Sequence, residues 1–217
     1  MLARLSDHGT KMNKQMLYRV RRKDIMPASK VLADAFQHDP LWNRIREGEP
    51  DFDKRFRAIF EVPVRHCLKY GEVYATSEGL EGVIGWVPGE YADTNAWRMI
   101  LSGSLGSAIR IGLNAVRKMR PVFSQVVKDR RKHMAGHTFL YVSVLGVATT
   151  LQGKGFGKRL LAAAIEECER KGLYLYLETE TEENARMYEH FGFSLLKKIT
   201  LPQVDLPMWE MAREPGA

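Results

Sequence analysis

The sequence predicts a single α/β domain built on a mixed sheet with helices on both faces, and three observations point there. Strand and helix patterns alternate along most of the chain. The most apolar run, Thr138–Val147, leads through a glycine-rich turn into an amphipathic helix and then into another β-rich run. That order requires a right-handed crossover between parallel strands. Two further β-rich runs, Glu72–Thr76 and Leu80–Val87, are joined by Ser77-Glu78-Gly79 and predict an antiparallel hairpin, which makes the sheet mixed.

Each element has a local cause. Residues 1–15 are polar and of mixed charge and are expected to form a flexible tail, so the domain is expected to span 16–217. Leu17–Arg21 predicts a short strand, and a helix from Met26 to Gln37 stops before Asp39-Pro40. Across Asp51–Lys69 the residues Phe52, Phe56, Ile59, Phe60 and Val64 recur at helical spacing, with Gly71 closing the run and Pro63 predicting a kink or an early stop. Residues 92–134 predict a helical insertion of about three pieces, broken by Gly103, Gly106 and Pro121. Beyond the strand at Thr138–Val147, Lys158–Arg170 is amphipathic and ends at Gly172, and Leu173–Leu177 is a strand. Thr181 caps a helix that runs to Phe191, and Phe193–Thr200 and Leu206–Ala212 finish the sheet.

Composition sets the outer limits. The chain has 217 residues, 45% of them hydrophobic and 27% charged, which excludes wholesale disorder. Its two cysteines, Cys67 and Cys168, cannot form a disulfide framework and suit a reducing, cytoplasmic compartment. No apolar run approaches the roughly 18 residues of a membrane span. The net charge of +7 is unevenly placed: residues 98–132 hold nine basic residues against Asp129 alone, while residues 133–217 carry a net −2. The basic stretch predicts either a surface that attracts anions or a solvated helical face.

The segment Gln152-Gly153-Lys154-Gly155-Phe156-Gly157-Lys158 sits where a strand gives way to a helix. Glycines there let several backbone N–H groups converge at the positive end of the helix, which makes an anion site suited to a phosphate. Lys158 and Arg159 lie in the first helical turn, where cations oppose the dipole unless an anion binds. A Walker A loop is excluded by Gln152 and Arg159, and the dinucleotide fingerprint by Lys158 and Leu160 at its last glycine position.

Gln152-x-x-Gly155-x-Gly157 resembles the acetyl-CoA loop of the GCN5-related N-acetyltransferases, whose pattern is Q/R-x-x-G-x-G/A. A second block, Asn184-Ala-Arg-Met-Tyr188-Glu-His-Phe-Gly192-Phe193, resembles that family's N-x-x-x-Y-x-x-x-G-F segment. The match is close over 138–212, and Tyr176-Leu177-Glu178-Thr179 looks like the puromycin N-acetyltransferase-like branch. The resemblance implies a sheet splayed at the acetyl-CoA site and direct transfer of an acetyl group to a primary amine of a small molecule. A protein or peptide amine, another acyl-CoA, or a CoA-binding regulatory module without catalysis remain open as alternatives.

By the same resemblance the pyrophosphate of acetyl-CoA lies on Gln152, Gly153, Lys154, Gly155, Phe156, Gly157 and Lys158. The pantetheine arm pairs like an added strand near Leu145, Gly146 and Val147, and Asn184 contacts it. Gly146 within a β-branched run predicts a bulge that would open a slot for the arm. A backbone N–H there could stabilise the developing oxyanion, an effect often worth roughly 3 kcal/mol. Tyr188 is implied as the general acid that protonates the leaving thiolate, although its helical spacing also fits core packing. Glu178, expected just after a strand, is the first candidate for the general base, and His137 the second.

Asp39, Trp42, Phe36 and Tyr91 are candidates to line the amine pocket. The histidines lack metal-ligand spacing, so no metal site is expected. Few aromatics interleave the basic stretch, which argues against nucleic acid as a partner. No membrane partner is expected either, and a homodimer fits the resemblance.

Overall fold

The apolar run Phe139–Val147 forms the longest strand and the middle of a seven-stranded sheet in a computed structural model that describes residues 14–49, 51–201 and 204–217. The predicted tail falls almost wholly outside the described residues, apart from a single turn at Lys14–Met16. In chain order the elements are β1 (Tyr18–Arg19), α1 (Ile25–Ala35), α2 (Pro40–Arg46), α3 (Phe52–Tyr70), β2 (Glu72–Ala75) and β3 (Gly82–Pro88). The insertion follows as α4 (Ala96–Ser102), α5 (Leu105–Ile111) and α6 (Leu113–His133). Then come β4 (Phe139–Val147), α7 (Phe156–Lys171), β5 (Tyr174–Thr179), α8 (Glu182–Glu189), β6 (Ser194–Leu201) and β7 (Leu206–Arg213).

The sheet order is β1-β2-β3-β4-β5-β7-β6, and β4–β5 is its parallel pair. One face buries α1, α2, α3 and α6 over residues such as Val83, Val87 and Val144. The other buries α7 and α8 over Ile84, Trp86, Leu140, Val142, Leu175 and Leu177. This is the predicted architecture.

Several local expectations are corrected. Asp39-Pro40 begins a helix as well as ending a segment: Asp39 accepts from the N–H groups of Leu41 and Trp42 at 3.0 and 3.3 Å, and Pro40 takes the first helical position. Helix α3 passes through Pro63 without stopping. The insertion is broken at Gly103 and Gly112, which adopt φ of +75° and +90°, whereas Gly106 and Pro121 lie within helices.

The expected bulge at Gly146 lies instead at Ser143. Val144 pairs with Gly85 and Val142 with Trp86, so Ser143 is the extra residue. Its effect is to reset the alternation: Leu140 and Val142 face α7, while Val144 turns to the opposite face. Gly146 follows Val144 onto that face and has a different role. A Cβ there would lie 2.9 Å from Leu32 Cδ2 and 3.0 Å from Ala35 Cβ, so glycine lets α1 approach the strand closely.

Buried ion pairs help fasten the insertion. Glu61 of α3 is fully buried and accepts from Ser107 Oγ at 2.8 Å and from the Arg110 guanidinium, which anchors α5. Arg130 and Asp129 tie α6 to the sheet through Glu178 and Lys197.

Candidate functional site

Strands β4 and β5 pair only at Phe139–Tyr141 with Tyr174–Tyr176 and then part. Beyond that point β4 continues on β3 to Val147, and β5 continues on β7 to Thr179. The result is a V-shaped gap at the carboxyl ends of two parallel strands, which opens a slot in the sheet. The unpaired edge of β4 includes Leu145, Gly146 and Val147.

One arm of the V leads into the glycine loop. Thr149 fixes the loop to α1: its N–H donates to Asp34 Oδ2 at 2.7 Å and its hydroxyl to the Asp34 carbonyl at 2.9 Å. Gln152 Nε2 donates to the Val147 carbonyl at 3.1 Å, closing the turn on the end of the strand. Gly155 then enters α7 with φ of +83°, a left-handed conformation that costs an L side chain roughly 1–2 kcal/mol.

No side chain caps α7, so the N–H groups of its first turn point outward without a protein partner at the cap. Lys154 and Lys158 lie exposed beside them and form no ion pair among the described residues. The acids farther along α7 are already engaged, Glu167 with Lys14, Arg170 and Lys171, and Glu169 with Arg213. Uncompensated positive potential is therefore concentrated at the loop, which fits a pyrophosphate.

The other arm leads through Thr179 and Glu180 into α8. Thr181 Oγ1 accepts from the Asn184 N–H at 3.3 Å, which starts the helix where predicted. Asn184 is exposed in the first turn and Tyr188 lies one turn later, buried beside Phe193 at 5.6 Å between ring centroids. Burial and then the negative charge of Glu180 push the Tyr188 phenol well above its usual range. A phenol held neutral in this way keeps its proton at neutral pH and can act as a hydrogen-bond donor.

Glu178 lies within β5 rather than after it, because the strand runs on to Thr179. Its carboxylate accepts from Arg130 Nη1 at 2.9 Å, and Arg130 also reaches Asp93 at 2.9 Å while its guanidinium lies 4.2 Å from the centre of the Tyr141 ring. Burial raises the pKa of Glu178, and the guanidinium opposes that rise. The first carboxylate past the strand is Glu180. Burial and then the charge of Asp39 push it up to about 8. Burial raises Asp39 as well, against the pull of the two backbone N–H groups it caps. Asp39, Glu178 and Glu180 thus form an acidic group at the mouth of the V.

Among the other expected lining residues, Trp42 is core, packed against Phe56 and Phe60, and Phe36 stacks on Phe60. Tyr91 stacks on Tyr70 beneath Arg98. His137 precedes β4 at the end remote from the loop, with its ring against Tyr174. The apolar run Leu173–Leu177 marks Glu178 as the first carboxylate past the strand, but β5 runs on to Thr179. The same strand-end argument, applied at the observed end, selects Glu180.

The profile of the Acetyltransferase (GNAT) family matches residues 119–193. An uncharacterized N-acetyltransferase of Schizosaccharomyces pombe is 30% identical over 208 residues, which span 91% of this chain and 82% of that protein. Among solved structures, a histone acetyltransferase HPA2 and related acetyltransferase from Corynebacterium glutamicum aligns over 93% of this chain and 97% of its own, with a TM-score of 0.62 at 20% identity. A Drosophila melanogaster polyamine N-acetyltransferase that forms N-acetylagmatine aligns over 91% and 98%, with a TM-score of 0.63 at 14% identity.

Proposed function

The chain belongs to the GNAT acetyltransferase family, and from that premise we propose that it moves an acetyl group from acetyl-CoA to a primary amine of a small, cationic molecule. The observation that carries this reading is the V between β4 and β5, with an anion-binding loop on one arm and a buried phenol and carboxylates on the other. Acetyl-CoA supplies an activated thioester. Gly153, Gly155 and the first-turn N–H groups of α7 hold its pyrophosphate, with Lys154 and Lys158 adding charge. The free edge of β4 at Leu145–Val147 binds the arm as an added strand would, and Asn184 faces it from α8.

The remaining roles follow from charge. Glu180, with its pKa near 8, takes the proton from the incoming ammonium group. Tyr188 stays neutral and donates its proton to the departing sulfur. Glu178 is neutralised by Arg130, so Asp39 and the ionised Glu180 supply the negative charge at the mouth, which favours a cationic acceptor over a neutral or anionic one. Cys67 and Cys168 are both buried and unpaired, in keeping with work in a reducing cytoplasm.

A panel of mono-, di- and polyamines offered with acetyl-CoA, read by thiol release and by the mass of the product, tests the reading. It predicts turnover that is fastest with cationic primary amines. Release of CoA with none of them, or acetylation confined to peptides, would overturn it.

A further inference from the structure

The helices of the insertion expose large apolar residues and, on α6, arginines without an ion pair among the described residues. Helix α4 leaves Trp97, Ile100 and Leu101 exposed at 66%, 50% and 47%. Helix α5 buries Ser107 and Ile111 and exposes Leu105 and Ile109, at 50% and 73%, on its opposite side. Leu113, at 69%, continues the patch onto α6. Short surface helices ordinarily turn polar residues outward. These two adjoining helices turn out their largest apolar ones.

The helices that carry the patch are basic in their own sequence. Residues 94–128 contain no Asp or Glu. Arg117 and Arg120 follow Leu113 along the same face of α6, both exposed and without an ion pair among the described residues. Among the described residues the Arg98 guanidinium bonds to the backbone carbonyls of Asp93 and Glu90 and lies over the Tyr91 ring.

We infer that this surface docks on an anionic lipid bilayer, with Trp97, Ile100, Leu105 and Ile109 entering the boundary between headgroups and acyl chains and Arg117 and Arg120 meeting lipid phosphates. An apolar face with Trp, flanked by arginine on helices that carry no acid between residues 94 and 128, matches what an anionic interface binds. A second copy of the chain fits poorly, because a two-fold contact through this patch would bring two positively charged surfaces together. The apolar side chains also stand proud of their helices. A bilayer accommodates such protrusions without the matching groove that a protein partner would need. No helix of the described residues is long and apolar enough to cross a membrane, so the contact is a surface one.

Sedimentation of the full chain with vesicles of phosphatidylcholine alone, and of equal parts phosphatidylcholine and phosphatidylglycerol, tests this directly. The expected result is binding to the anionic vesicles, much weaker binding to the neutral ones, and a blue shift of tryptophan emission that Trp97→Phe removes, since Trp42, Trp86 and Trp209 are already buried. Leu105→Ser with Ile109→Ser should weaken binding at least about tenfold. Arg117→Gln and Arg120→Gln should each weaken it about fivefold and flatten its salt dependence. All four positions are exposed, so an unchanged far-UV spectrum and Tm will separate lost docking from lost folding. Absence of binding to anionic vesicles at low salt, or binding indifferent to these substitutions, would overturn the inference. So would a dimer in sedimentation velocity that the serine variant converts to monomer, because the face would then be a protein contact.

Discussion

Arg130 Nη1 lies 2.9 Å from Glu178 Oε1, joining the last helix of the insertion to β5, the neighbour of the central strand. Both side chains are almost fully buried, at 4% and 8% exposure, and Arg130 also holds Asp93. Removing one partner would strand a buried charge, at a cost of about 3–5 kcal/mol. Arg130→Met should therefore destabilise the chain by that amount in urea unfolding, whereas Arg130→Met combined with Glu178→Leu should recover most of the loss. If the double variant is no more stable than the single one, the pair is not the fastening described.

Tyr188 tests the assignment of the acid. Tyr188→Phe keeps the ring that packs on Phe193 and removes only the hydroxyl. The expected outcome is kcat lower by about 10²-fold or more, with the KM for acetyl-CoA nearly unchanged. Wild-type kcat in this variant would remove the phenol from the mechanism.

Glu180 predicts a pH dependence with a definite sign. Its pKa rises from 4.5 to about 8 on folding, so the native chain retains a proton that the unfolded chain releases. Its contribution is thus fully present below pH 4.5 and is lost as the pH climbs through about 8. Activity runs the other way, because the base must be ionised: kcat/KM should rise with pH through about 8. Glu180→Gln should abolish that rise and flatten the stability profile over the same window.

Glu167 predicts the opposite limb. Burial alone would raise its pKa, but Lys171, Arg170 and Lys14 hold it down to about 2. Its stabilisation is present above the unfolded value of 4.5 and is lost as the pH falls toward 2. The three cations are partly solvated, at 42%, 64% and 21% exposure, so Glu167→Gln should cost only about 1 kcal/mol at neutral pH. Thermal melts of the two proteins should converge in acid.

The legible parts of the molecule were those governed by local chemistry. The glycine loop, the Thr181 cap and the run at Phe139–Val147 each carry their cause in a few adjacent residues, and the crossover rule orders them into a sheet. Asp39-Pro40 carried a helix start as well, in the pairing of an N-cap acid with proline at the first helical position. What stayed hidden depends on distant partners. Whether Gly146 or Ser143 bulges is decided by β3 and by the approach of Leu32 and Ala35. That Glu178 is neutralised from the insertion while Glu180 faces Asp39 depends on contacts 48 and more residues apart in sequence. Strand ends are equally non-local, since β5 extends to Thr179 only because β7 pairs with it that far.

Binding of acetyl-CoA, measured as a thermal shift in the wild type and in Gly155→Val, tests the central claim most directly. At a ligand concentration about a hundredfold over Kd the wild type should gain about 2.7 kcal/mol and melt several degrees higher. The valine variant, forced into φ of +83°, should lose most of that shift. A wild type that melts at the same temperature with and without saturating acetyl-CoA would contradict the account.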